Sequence, residues 1–250
     1  MHFVRVQEMR SNQGLYADDY HLNCIFLGSS GAGKTTALNL YAKMLHSMGV
    51  LSKGHLVKIS RPGLVAGDIR QTERKTHAKI DEALGGILFI EQAHELFNLD
   101  DGSFDYGQAV INILLERMKD LQNDFVVILA GYPESMENFL EANEGLRSQF
   151  PTIVPFDDYS PGELLSMLNL FCLKANYEIE PKALETLRII IAKAYEKGDM
   201  NLRNIRFVPN LFEGVQKWQS VRISQTLENP TLQQLQLITA DDVKLLQTKP

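Results

Sequence analysis

LNCIFLGSSGAGKTTALNL, residues 22–40, decides the reading of this chain. An apolar run through Leu27 reads as a buried strand, a turn bearing glycines at 28, 31 and 33 follows, and a helix opens at Lys34-Thr35. Gly-x4-Gly-Lys-Thr set between a strand and a helix is the pattern of a phosphate-binding P-loop. Each residue type has a task. Glycines let the backbone N–H groups curl around an anion, and the helix start adds its own unpaired N–H groups and dipole. Gly28, Ser29, Ser30, Gly31, Ala32, Gly33, Lys34, Thr35 and Thr36 are therefore the expected nucleotide-binding residues. Lys34 would reach the β- and γ-phosphates, and Thr35 would place its hydroxyl on Mg2+.

Working outward, Thr35 to Met48 carries Leu38, Tyr41, Ala42 and Leu45 on one helical face, and Gly49 is a natural stop. HLVKIS (55–60) reads as a short strand, and a charged helix begins near Ile69. GGILFIEQAHELF (85–97) opens with an apolar strand, Ile87 to Ile90, ending at Glu91-Gln92. In a parallel sheet such a run is a central strand, and ligands bind beyond its C-terminal end. Glu91 is thus expected beside the P-loop. Further strands fall at 125–130 and 152–155, with short helical pieces at Met136–Leu140 and Gly145–Phe150. Strands alternating with helices predict a three-layer α/β domain with a parallel sheet over 21–158, preceded by an irregular arm, 1–20.

After Tyr159-Ser160-Pro161 the pattern becomes purely helical. Ser160 and Glu163 form a capping box over a helix reaching Ala175. Helices are also expected from Pro181 to Glu196, from Arg203 to Ile223 and from Ala240 to Leu246, giving a small all-α domain over 159–250.

A formal charge of −6 argues against binding nucleic acid or an anionic membrane through bulk charge. No apolar run approaches the roughly 20 residues of a membrane span, and MHFVRVQEMRSNQ lacks a secretory h-region. Two cysteines, Cys24 and Cys172, make neither a disulfide framework nor a metal set, and they fit a reducing, cytoplasmic setting. Asp100, Asp101 and Asp105 lie in a stretch too irregular for a calcium loop.

GVLSKGHLVKISRPGLVAGDIRQTERKT (49–76), GGILFIEQAHEL, YGQAVINILLERMKD, VVILAGYPESMENFLEANEGLRSQFP and DYSPGELL together resemble the AAA+ ATPases of the CbbX/CfxQ and stage V sporulation protein K group. The similarity covers Leu22 to Phe212. It implies a P-loop NTPase domain followed by a helical lid, ATP and Mg2+ as ligands, assembly into a ring, commonly a hexamer, and action on a protein substrate or partner subunit. It carries over to Gly28, Gly33, Lys34 and Thr35 as Walker A, and to Arg206 as a lid arginine touching the γ-phosphate.

The departures share a direction. The family's Walker B strand ends Asp-Glu where this chain has Glu91-Gln92. Glu91 still offers Mg2+ a carboxylate, displaced by one methylene. Gln92 cannot take a proton from the attacking water, a role typically worth about 10²- to 10⁴-fold in rate. Gln149 stands at the family's arginine-finger position, with Arg147 two residues earlier as a substitute. Asp68 replaces an aromatic pore residue, and Pro209 replaces a second lid arginine. Glu91, Gln92 and Arg147 are thus the expected catalytic positions, and the leading expectation is an ATP-binding module with impaired hydrolysis. An active remodelling ATPase and an interaction module with a vestigial P-loop stay open. His94 and Trp218 read as packing residues, and Arg70, Arg74 and Lys75 as either a pore lining or a solvated face.

Overall fold

A computed structural model describes residues 6, 9–10, 13–15, 22–97, 106–121, 124–197, 207–226 and 228–247. Most of the expected arm, Asp100, Asp101, Asp105 and Arg206 lie outside the described residues. The chain divides into two compact units, one of Met1–Ser29 with Gly33–Phe156, the other of Ser30–Ala32 with Asp157–Pro250.

The first unit is built on five strands: β1 (Cys24–Gly28), β2 (Leu56–Ile59), β3 (Ile87–Ile90), β4 (Val126–Gly131) and β5 (Thr152–Phe156). Their order is β2-β3-β4-β1-β5, and every pairing is parallel. All five C-terminal ends therefore lie along one edge. Between the strands run α1 (Lys34–Ser47), the single turn α2 (Arg61–Leu64), α3 (Ile69–Ala83), α4 (Gly107–Asp120), α5 (Pro133–Glu141) and α6 (Glu144–Gln149).

Alternation along the strands sends side chains to two separate cores. Cys24, Phe26, Phe89, Ile128 and Ala130 join Leu38, Ala42 and Leu45 of α1. Ile25, Leu88, Ile90, Val127 and Leu129 join α3, α4 and α5 through Ile80, Leu114 and Phe139. Both faces of β3 and β4 are covered, which is why these strands read as unbroken apolar runs. A fully buried leucine or isoleucine contributes about 1.5–3 kcal/mol, so this sheet is the stable frame for whatever sits at its edge.

Helix ends follow local chemistry. α1 stops at Met48, and Gly49 turns the chain with φ 81°. Asp68, the residue at the expected aromatic pore position, has a different task here: its Oδ1 accepts the Gln71 N–H at 2.8 Å and caps α3. Lys75 reaches back to the carbonyls of Pro62 and Val65, at 3.5 and 3.3 Å.

The second unit holds α7 (Pro161–Lys174), α8 (Pro181–Glu196), α9 (Phe207–Thr226), α10 (Leu232–Gln236) and α11 (Ala240–Lys244). The capping box over α7 is formed: Glu163 N–H donates to Ser160 Oγ at 3.3 Å and Ser160 N–H to Glu163 Oε2 at 2.8 Å. Leu164, Leu168, Leu187, Ile191, Val208 and Val215 form the core. This unit also contains a parallel ladder of β6 (Glu178–Ile179) and β7 (Leu237–Ile238), which sequence reading missed because two residues carry no alternation. Trp218 is half-buried, whereas its neighbour Gln219 is buried and donates to the carbonyls of Leu235 and Leu237. Arg222 forks onto the buried Asp242, Nε to Oδ1 at 2.8 Å and Nη2 to Oδ2 at 3.1 Å.

Candidate functional site

The site is assembled at the C-terminal edge of the first unit's sheet. β1 ends at Gly28, paired with Phe156 of β5. A Cβ at position 28 would collide with the Phe156 carbonyl, so only glycine lets the two backbones approach this closely. Gly31 and Gly33 then turn through left-handed conformations, φ 84° and 94°. Gly33 is the N-cap of α1, and no side chain caps that helix. A 14-residue helix thus starts without a side-chain cap behind a glycine turn, an arrangement that suits an anion.

Lys34 is held at this turn. Its Nζ donates to the carbonyls of Gly28 and Ser29, both at 2.7 Å. Burial pulls the ammonium below its ordinary pKa, and the Glu91 carboxylate opposes that shift. Glu91 and Lys34 are therefore electrostatic neighbours, joined by the fold across 57 residues of sequence (91 − 34). Thr35 and Thr36, in the first turn of α1, are exposed, as are Glu91 and Gln92. Thr35 supplies a hydroxyl and Glu91 a carboxylate, both oxygen donors of the kind Mg2+ takes, so the residues fit a magnesium nucleotide.

At the end of β3 the backbone changes direction sharply. Glu91 N–H still donates to the Ile59 carbonyl at 2.7 Å, prolonging the β2 ladder by one bond. Gln92 then adopts φ 50°, ψ 48°, one of two non-glycine residues with positive φ among the described residues. Such a conformation costs an ordinary side chain about 1 kcal/mol or more. A 3-10 turn, Ala93–Leu96, follows, closed by Glu95 N–H on the Gln92 carbonyl at 2.9 Å. Arg61, the first residue of α2, donates Nη1 to the Glu95 carbonyl at 2.6 Å. Sequence reading passed over Arg61. Its position directly after a parallel strand was the available signal, because every such strand ends at this edge.

His94 lies against β4. Its Nδ1 is buried without a hydrogen-bond partner, and its ring faces Tyr132 with centroids 5.9 Å apart. Burial holds the imidazole below its ordinary pKa, with Glu95 opposing.

Not all the expected residues meet here. Arg147, on α6, is exposed and lines an open hollow of about 590 Å³ with Leu140, Glu141, Glu144 and Ser148. Among the described residues no hydrogen bond or ion pair joins Arg147 to Lys34 or Glu91. Gln149 is half-buried on the same helix. Both cysteines are buried and unpaired; burial raises Cys24 to about 12 and Cys172 to about 11, which keeps them protonated and unreactive.

Residues 24–157 match the profile of the ATPase family associated with various cellular activities (AAA), and 160–249 match the AAA lid domain. Stage V sporulation protein K of Bacillus subtilis is 36% identical over 88% of this chain and 68% of its own length. Protein CbbX of Cereibacter sphaeroides is 36% identical over 90% of this chain and 72% of its own length. The chloroplastic ribulose bisphosphate carboxylase/oxygenase activase of Cyanidioschyzon merolae is 33% identical, covering 98% and 82%. Among solved structures, the Thermotoga maritima RuvB Holliday junction branch migration motor superimposes with a TM-score of 0.60 at 22% identity. It covers 97% of this chain, and this chain spans 65% of the motor. That likeness speaks to fold alone.

Proposed function

The chain belongs to the AAA family of ATPases, with CbbX and stage V sporulation protein K among its relatives, and on that premise we propose that it binds magnesium ATP and acts on a protein partner. The observation that carries this reading is the glycine-turned, uncapped start of α1, with Lys34 held at the turn and Glu91 beside it. Thr35 and Glu91 are the residues that would hold Mg2+, which when bound offsets phosphate charge. On this reading Lys34 exchanges two backbone carbonyls for phosphate oxygens. Arg206 is proposed to add a cation from the lid.

Hydrolysis is proposed to be impaired. Gln92 offers an amide where deprotonation of water calls for a carboxylate, and Gln149 offers one where a finger calls for a guanidinium. The role is then remodelling or regulation of a protein partner from within a ring, commonly a hexamer, of like or unlike chains in the cytoplasm. The names of the relatives, which include a carboxylase activase, support a protein target.

The test is retention of labelled nucleotide. Purified chain incubated with Mg-ATP is freed of unbound label, and the bound species is identified over hours beside Lys34→Ala. The expected result is intact ATP on the wild type and none on the variant. Bound ADP with steady phosphate release would remove the impaired-hydrolysis part of the proposal. Absence of any bound nucleotide would remove the ATP-binding part and leave a protein-interaction module.

A further inference from the structure

The turn that carries the P-loop glycines is held by a residue far along the chain. Its middle, Ser30–Ala32, groups with the second unit, whereas Ser29 and Gly33 on either side belong to the first. Within the second unit the Tyr159 hydroxyl donates to the Ala32 carbonyl at 3.3 Å, across 127 residues of sequence. The tyrosine ring packs against the core that holds Leu164, Leu168, Leu187 and Val215, so the hydroxyl is offered from an anchored support. Ala32 is buried, and no backbone N–H among the described residues donates to its carbonyl. A buried carbonyl needs a partner, and Tyr159 supplies it.

This bond fixes something that the local backbone leaves free. Gly31 and Gly33 flank Ala32, both in left-handed conformations, φ 84° and 94°. Glycine accepts many backbone angles, so the peptide plane between Ala32 and Gly33 can swing at little cost. No peptide bond among the described residues is cis, and in a planar trans peptide the carbonyl of Ala32 and the N–H of Gly33 point in opposite directions. Holding the carbonyl toward Tyr159 therefore turns the Gly33 N–H away from it. Gly33 is the N-cap of α1, so its N–H stands among the unpaired donors of a helix start, the groups that an anion uses.

We propose that Tyr159 is a positioning residue of the nucleotide site: by holding the Ala32 carbonyl, it keeps the P-loop turn in its phosphate-accepting form before a ligand arrives. This rests on the nucleotide site proposed above. Tyr159 acts here through the backbone and not by touching the ligand. A turn ordered in advance raises affinity because binding no longer has to order it. The gain applies to every ligand that uses the turn, with or without a base.

The test is Tyr159→Phe, which keeps the ring and its packing and removes only the hydroxyl. Affinities for Mg-ATP, Mg-ADP and base-free Mg-tripolyphosphate are compared with wild type by calorimetry, and melting temperature without ligand shows that the variant is folded. An unpaired buried carbonyl in a loosened turn predicts about tenfold weaker binding of all three. Loss for the two nucleotides alone, with tripolyphosphate unchanged, would put the hydroxyl on the nucleoside and overturn the proposal. Unchanged affinity for all three would overturn it too; a lowered melting temperature would then mark Tyr159 as purely structural. A wild-type chain that binds none of the three would overturn the nucleotide site and the proposal with it.

Discussion

Two strand ends at the same sheet edge behave differently. After β1 the backbone meets its conformational demands with glycine: 28, 31 and 33 are glycine where a close approach or a left-handed turn requires it, and Lys34 finds two carbonyls. After β3 the left-handed position is filled by Gln92, and two residues later His94 buries a nitrogen without a partner. The first end meets its backbone demands with glycines and leaves its helix start uncapped, and the other holds a left-handed glutamine and an unmet polar atom. Local strain of this kind concentrates where function constrains the chain, so the second end is where altered chemistry should be sought. On the function proposed above, the holding of phosphate falls to the first end and the handling of its terminal group to the second.

The strongest way to break that contrast is to return a carboxylate to the second end. Gln92→Glu should raise phosphate release by about 10²-fold or more, with nucleotide affinity unchanged, measured by single-turnover assay. An unaltered rate would remove Gln92 from the proposed impairment of hydrolysis. Next in size is damage to the first end. Gly28→Ala drives a Cβ into the Phe156 carbonyl and should cost about 2–3 kcal/mol, read from denaturant unfolding. If the variant were as stable as wild type, the close approach of β1 and β5 would not be the reason for glycine. The smallest effect sharpens the contrast from outside it. Asp68→Ala removes the α3 cap and should cost about 1 kcal/mol with ATP affinity untouched. A loss of ATP binding there would connect this loop to the strand ends.

Much of the fold was legible in the chain because its strands are short, apolar and bounded by turns. β3 runs Ile87–Ile90 as expected, and β4 closes at Gly131, one residue beyond expectation. The β6–β7 ladder escaped notice, since a pair of two-residue strands exists only through long-range partners. Within the site, Lys34 and its glycines were readable from spacing alone. Asp68 was readable as a departure from the family pattern but not as a helix cap, which depends on where α3 begins. His94 was read as packing; its ring does pack on Tyr132, and its orphaned Nδ1 is invisible in a string of letters.

By itself, the sequence determined the P-loop, the alternating α/β order and the chemistry available at Glu91, Gln92 and Gln149, because these depend on residue type and on near neighbours. Only the tertiary structure decided that Glu91 lies in the field of Lys34, that Arg61 pins the turn after β3, and that His94 takes the space left by Gly131. Those relations arise from the order of strands in a parallel sheet, which brings residues far apart in the chain to one edge.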